Sequence, residues 1–276
     1  MRSKRTGKIL SRIFIVLCLI VALFPIYWML CTSFKSEGEI YRKIPTMIPK
    51  QFTLEAYSYL LTKTNFLNAI KNSLLVAVVV SLLSILIAYP TAYTLARTKF
   101  RGRRILSKTV LFTYMLPTSV LYIPLYILVA RLGLTNTLWG LILIYPTFTL
   151  PYVAWILIPH VASIPVALEE AARMDGCSQL KIMYKIVFPL ALPGIVSTTI
   201  FAFAMCWGEY LYALVNLTSS TVQTFPLVIS GLIYGDMPPW NQLMAGAIMA
   251  CVPIVIIYMV ASSSLVGGAT AGGVKQ

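Results

Sequence analysis

Long windows without Asp, Glu, Lys or Arg recur along this chain. Ile13–Phe34 lies between Arg12 and Lys35, Asn72–Ala96 between Lys71 and Arg97, and Thr109–Ala130 between Lys108 and Arg131. Leu132–Pro159 holds a fourth, from about Leu138; Ile186–Gly208 a fifth; Met237–Val274 a sixth, placed at Gln242–Ser262. About 20 apolar residues in a helix cross the ~30 Å of bilayer hydrocarbon. The pattern therefore predicts an all-α polytopic membrane protein with six transmembrane helices forming one membrane domain. Composition agrees: of 276 residues, 59% are hydrophobic and 11% charged, where soluble domains carry about 25% charge. The first window has the basic lead of a signal peptide, but its apolar run is too long and no small-x-small cleavage site follows, so it is read as an uncleaved span.

The net charge of +14 takes its meaning from the spans. Lys and Arg accumulate on the cytoplasmic side of short loops. With the N-terminus inside, 15 of the 22 basic residues fall on the inner segments, and the densest cluster is the short loop Arg97, Lys99, Arg101, Arg103, Arg104 and Lys108. Both termini are then cytoplasmic, residues 1–12 form the cytoplasmic N-terminus, and the 160–192 loop between spans four and five is cytoplasmic too. The five cysteines, Cys18, Cys31, Cys177, Cys206 and Cys251, follow no metal-site or disulfide spacing.

Residues 36–70 form the longest segment on the opposite face. After Pro45 and Pro49 comes "FTLEAYSYLL", with Thr53 as N-cap of a short helix and Leu54, Tyr57, Leu60 and Leu61 on one stripe. Such a helix lies along the membrane, meets an external partner, or simply covers the bundle. Prolines recur within the spans, at Pro25, Pro90, Pro117, Pro124, Pro146, Pro151 and Pro253. Each removes a donor and bends its helix, as suits a cavity-lining bundle that rearranges.

The loop between spans four and five, "EEAARMDGCSQLKIMYKIVFPLALPG" from Glu169 to Gly194, is charged and strongly patterned. Pro165 suits a helix start, Glu169 and Glu170 favour the positive end of its dipole, and Ala171 and Ala172 are strong helix formers. Gly176 suits a left-handed C-cap. Ser178 then caps a second helix whose Leu180, Met183, Tyr184 and Val187 share a face, with Pro189 and Pro193 ending it. A compact helix-turn-helix results, built either to dock on a soluble partner or to rest on lipid or on the protein itself.

Glu170-Ala171-Ala172, three residues, Gly176, nine residues and Ile186-Val187-Phe188-Pro189 resemble the EAA signature of ABC-importer permeases, with Phe188 where leucine is usual. The resemblance runs along most of the chain. "AYPTAYTLARTKFRGRR", "LPTSVLYIPLYILVARLGLTNTLWGLIL", "WGEYLYAL" and the ending "GGATAGGVKQ" are similar to runs of the maltose-type carbohydrate permeases. The departures are Gly208 for Asn, and Ala269, Gly273 and Gln276 in the terminal motif, which is preceded by "ASSSLV" rather than basic residues.

The resemblance implies a single ABC transporter permease domain over 1–276 in a bacterial or archaeal cytoplasmic membrane. It implies a second permease subunit, two copies of a cytoplasmic ATPase subunit and an extracytoplasmic solute-binding protein as partners. It also makes the 160–192 loop a coupling helix-turn-helix docking on the ATPase, through Glu170, Ala171, Ala172, Gly176, Leu180, Met183, Tyr184, Val187 and Pro189. No Walker A pattern occurs, so ATP and Mg belong to the partner ATPases; the chain itself is expected to bind no cofactor or metal and to catalyse no reaction.

One acid lies within a predicted hydrophobic region. Glu209 stands beside Trp207, Tyr210 and Tyr212, with Asn216 further along the same helical face. An ionisable group there faces a cavity or a partner, and aromatic faces with a carboxylate and an amide suit sugars. Trp207, Glu209, Tyr210 and Asn216 are thus candidates for the substrate pathway, or for a subunit interface with an aromatic belt. His160, the single histidine, ends span four in a boundary role. A sugar, as a di- or oligosaccharide, is the expected cargo; a polyamine or glycerol phosphate would fit the same machinery. An ion-coupled transporter would need more buried acids, and an intramembrane enzyme a catalytic dyad or metal spacing.

Overall fold

The computed structural model describes the backbone of residues 2–271 and the side chains of residues 10–261. The terminal motif, over 267–276, therefore lies outside the described side chains. Among the described residues there is no strand. The helices are α1 (Arg2–Ser33), α2 (Glu37–Ile40), α3 (Glu55–Lys63), α4 (Phe66–Arg97), α5 (Arg103–Met115), α6 (Tyr122–Arg131), α7 (Leu138–Ile144), α8 (Pro146–Ala162), α9 (Val166–Met174), α10 (Gln179–Ile182), α11 (Phe188–Trp207), α12 (Leu211–Asn216), α13 (Phe225–Ser230) and α14 (Trp240–Ala271). Five are long and apolar enough to cross a membrane, and the α5–α6 pair makes a sixth if its bent halves count as one span.

That bend corrects the third window, which is not one straight helix. Its halves meet at 90°. Leu116 is extended, with ψ 132°, because the ring of Pro117 disfavours helical backbone in the preceding residue. A 3-10 turn over Thr118–Leu121 then restarts the chain as α6.

The chain forms two compact units. One comprises residues 1–66 and 228–252, the other residues 67–227 and 253–276. In the first, the apolar side chains of α1 are exposed around its circumference from Leu10 to Ile26, as expected of a helix whose solvent is hydrocarbon. Its last turn is anchored: Ser33 Oγ lies 2.8 Å from Tyr57 Oη, and Phe34 stacks on Phe52 and Tyr57. The predicted stripe of α3 is shifted. Ala56 and Leu60 are buried, while Leu54 and Leu61 are exposed. The geometric N-cap is Leu54, and Thr53 Oγ1 accepts from Glu55 N at 3.1 Å.

The second unit holds the larger core. Tyr89 and Tyr93 of α4, Val153, Leu157 and Val161 of α8, and Val187, Ala191, Ile195 and Ala202 around α11 are packed together. Helix α8 packs against both α5 and α11. A buried pair, Ser84 Oγ and Thr149 Oγ1 at 2.7 Å, links α4 to α8. Gly194 lets α11 approach α8 closely, since a Cβ there would lie 2.7 Å from His160 Cγ.

The expectation that Pro189 and Pro193 end the coupling pair's second helix is also corrected. The chain is one apolar helical run over Gln179–Trp207. Residues Met183–Val187 form a π turn, whose wider i→i+5 spacing makes room just ahead of Pro189 at the first turn of α11. Tyr89 Oη donates to Met183 O at 2.6 Å. The second coupling helix is thus continuous with span five.

Candidate functional site

Helix α9 begins after Pro165, which has the extended backbone of an N-cap. It ends in a Schellman turn: Cys177 N donates to Ala172 O and Gly176 N to Arg173 O, both at 3.0 Å. Gly176 has φ +80°, where L side chains are strained. Ser178 then caps α10, its hydroxyl accepting from Lys181 N at 3.4 Å. The two helices therefore meet at a fixed turn, as their signals predict.

What locks this pair to the bundle is Glu169, which sequence reasoning placed only in the helix dipole. Its side chain is 1% exposed, and Oε1 lies 2.6 Å from Arg97 Nε, itself 7% exposed. The contact is an ion pair whose angle is not that of a good hydrogen bond, so both atoms lack a conventional partner. Tyr93 Oη donates to Glu169 Oε2 at 2.7 Å and accepts from Gln179 Nε2 at 2.5 Å. Arg97 also donates to Ile164 O at 2.5 Å, and Arg173 extends the network to Gln179 Oε1 at 3.2 Å. Arg103 fills in behind, donating from Nε to Leu95 O at 2.6 Å at the carbonyl end of α4. The end of span two, both helices of the pair and the turn between them thus share one polar knot. The available signal was an acid three positions before the buried Ala172, with a span-end arginine to receive it.

The predicted docking residues divide accordingly. Ala172, Met183 and Val187 are buried and join the pair to the core. Glu170, Ala171, Gly176, Leu180, Tyr184 and Pro189 are exposed, Leu180 at 68% and Tyr184 at 46%. The expected four-residue face is therefore split: Met183 and Val187, at either end of the π turn, face the core, and Leu180 and Tyr184 do not.

The second candidate set is likewise rearranged. Helix α11 stops at Trp207, with Gly208 as its C-cap, so Trp207 and Asn216 lie on different helices and share no face. Glu209 accepts from Tyr212 N at 2.8 Å, from Ala213 N at 3.1 Å and from Tyr145 Oη at 2.8 Å. It is a carboxylate satisfying the free N–H groups that open α12. Trp207 is buried against Phe203 and Phe225. Asn216 is buried, its side-chain amide donates to Tyr212 O at 2.8 Å, and its backbone carbonyl accepts from Asn136 N at 2.8 Å. Tyr210 alone is half-buried without such a structural bond among the described contacts of its side chain. Among the described residues, no three His, Cys, Asp or Glu side chains gather as a metal site would require.

A family model described as binding-protein-dependent transport system inner membrane component matches residues 84–267. The inner membrane ABC transporter permease protein YcjP of Escherichia coli is 36% identical over 263 residues, covering 95% of this chain and 94% of its own. The diacetylchitobiose uptake system permease protein DasC of Streptomyces coelicolor is 32% identical over 277 residues, covering 100% of both chains. The trehalose/maltose transport system permease protein MalG of Thermococcus litoralis is 32% identical over 279 residues, covering 100% of this chain and 99% of its own. A chain of a bacterial ABC transporter involved in the import of the acidic polysaccharide alginate shares the fold, with a TM-score of 0.79 over 95% of this chain and 98% of that one, at 23% identity.

Proposed function

Because this chain belongs to the family of binding-protein-dependent transport system inner membrane components and is an ABC-transporter permease, we propose that it carries a neutral di- or oligosaccharide into the cell. It would do so as one half of a two-permease pathway driven by two separate cytoplasmic ATPase subunits and fed by an extracytoplasmic solute-binding protein. The sugar assignment is supported by relatives such as the diacetylchitobiose and trehalose/maltose permeases, similar over essentially the whole chain.

The observation that carries the coupling reading is the knot at Glu169. A helix pair that only lay on lipid would need no buried ion pair to the end of a span. Here a push on the exposed surface of Glu170, Ala171, Gly176, Leu180 and Tyr184 is transmitted two ways. It reaches span two through Glu169–Arg97 and Tyr93, and span five through the unbroken backbone of residues 179–207. Closure of the ATPases would move the pair as a rigid body and swing the pathway between its two openings. The orientation proposed is the one the basic residues favour, with both termini and the coupling pair cytoplasmic. In the pathway, Tyr210 would meet cargo, and Trp207, Glu209 and Asn216 would build the wall behind it.

The test is gentle extraction of the tagged chain followed by identification of what accompanies it, together with sugar uptake in cells. The expected result is an ATPase and a second permease in the purified complex, and accumulation of a neutral oligosaccharide that depends on ATP. A chain that transports with no ATPase bound would overturn the coupling reading.

A further inference from the structure

A polar-and-aromatic cluster also occurs among residues that belong to neither candidate set. In the first unit a recess of about 290 Å³ is lined by Trp28 and Thr32 of α1, Lys35, Glu39, Pro45 and Thr46 of the following segment, and Trp240 and Met244 of α14. The walls are largely aromatic and apolar, yet three of the polar lining residues are buried: Thr32 is 5% exposed, Lys35 2% and Glu39 3%. Buried polar groups of this kind are retained when something satisfies them.

Two of the three are partly satisfied by the protein. Glu39 accepts from Thr46 Oγ1 at 2.5 Å and from Lys50 N at 3.0 Å. Lys35 Nζ donates to Thr46 O and sits 4.8 Å above the ring of Trp28, leaving donors unspent. Thr32 Oγ1 has no hydrogen-bond partner at all. Several threonine hydroxyls within helices of this chain turn back to the carbonyl four residues earlier, as Thr62, Thr91 and Thr109 do; Thr32 does not.

We propose that this recess binds one ring of a neutral sugar, with Trp240 offering a stacking face, the edge of Trp28 closing the wall beside Lys35, and Thr32 Oγ1 and Lys35 Nζ pairing ring hydroxyls. The occupant's chemistry follows from the lining. An ammonium and a carboxylate on one wall cancel, so neither an anionic nor a cationic ligand is favoured. A purely apolar guest would leave the buried Thr32 hydroxyl orphaned, at a cost comparable to a lost hydrogen bond. A flat, CH-faced ring edged with hydroxyls meets both requirements, and the volume is at the small end of ligand pockets, suiting a single ring. The site rests on the sugar-permease reading and on its topology, which places the carboxyl end of α1 on the outer face, where cargo arrives.

The test uses the full chain in nanodiscs and saturation-transfer NMR with D-glucose, maltose, trehalose and diacetylchitobiose, with glucuronate and glucosamine as charged controls. At least one neutral probe should receive saturation at its ring protons, and more strongly than either charged control. Thr32→Val should weaken that probe about tenfold, the loss of one hydroxyl pairing, without lowering stability, because it removes an unpartnered group. Trp240→Ala should weaken it as well, and Thr62→Val, exposed on α3 and bonded to its own helix, should not. Failure of every neutral probe to bind, equal binding of the charged controls, or unchanged binding in Thr32→Val each overturns the site. If wild type imports sugar while Thr32→Val binds it normally, only this site falls. If the probe is lost in Thr32→Val but no sugar is imported, the site stands and the cargo reading falls.

Discussion

Glu169→Gln is the substitution on which the coupling reading depends most. The wild-type carboxylate is 1% exposed, paired with Arg97 at 2.6 Å and accepting from Tyr93 at 2.7 Å. The amide keeps the shape but removes the charge, leaving the buried Arg97 guanidinium with neutral acceptors alone, the amide oxygen and Ile164 O. Removing one partner of a buried pair costs about 3–5 kcal/mol, and the surviving carbonyl bond places the expected loss at about 3 kcal/mol, the low end of that range. Glu170→Gln, one residue on and exposed, should stay within about 0.5 kcal/mol, although Glu170 and not Glu169 belongs to the recognisable motif. The assay is SDS-titrated unfolding of the purified chain in mixed micelles, with Arg97→Met and the Glu169→Gln/Arg97→Met pair completing a double-mutant cycle. The double variant should recover much of the loss, since no unpaired charge remains. In the assembled transporter, Glu169→Gln should reduce transport per ATP hydrolysed more than it reduces ATPase binding. Equal stability of Glu169→Gln and wild type, or a coupling energy near zero, would refute the knot as the transmitting element.

Three further outcomes follow from other positions. Gly176→Val places a β-branched residue at φ +80°, at about 1–2 kcal/mol; transport and substrate-stimulated ATPase activity should fall together while membrane insertion, read by protease protection, survives. Gly194→Ala drives a Cβ to within 2.7 Å of His160 Cγ, an overpacking cost of about 1–3 kcal/mol, which Gly194→Ala/His160→Ala should relieve in the same unfolding assay. Glu39 has its carboxyl held below the usual range, first by the Thr46 hydroxyl and then by Lys50 N–H. Because the folded value is the lower one, its stabilisation is present above the ordinary glutamate value of about 4.3 and is lost as pH falls through the folded value. Hydrogen exchange of the 39–50 amides, corrected for intrinsic rate, should therefore rise below about pH 4 in wild type and show no such step in Glu39→Gln.

The apolar windows determined by themselves that this is a helical membrane protein, because spanning hydrocarbon requires long uncharged helices and little else. Local chemistry was equally decisive at the coupling pair. Pro165, Gly176 and Ser178 act on neighbours within a turn, so the start, the left-handed stop and the second cap were all readable from residue type and spacing. The sequence could not decide matters that depend on what lies across the bundle. The second coupling helix packs Met183 and Val187 inward and leaves Leu180 and Tyr184 outside, a choice made by the core it meets and not by their spacing. The 90° break at Leu116–Pro117 and the unbroken run through Pro189 show that a proline's effect depends on the backbone around it. By sequence Glu209 is a lone charge facing a cavity or a partner; Tyr145, distant in sequence, and the opening of α12 hold it within the chain. Glu169 is the converse: by sequence only an acid suited to a helix dipole, and the buried centre of the coupling site once Arg97 and Tyr93 close around it. Pairing of the charges of Arg97 and Glu169, far apart in sequence, leaves no periodic trace in the chain, because it is the packing of helices, and not any helix alone, that brings the two groups out of water together.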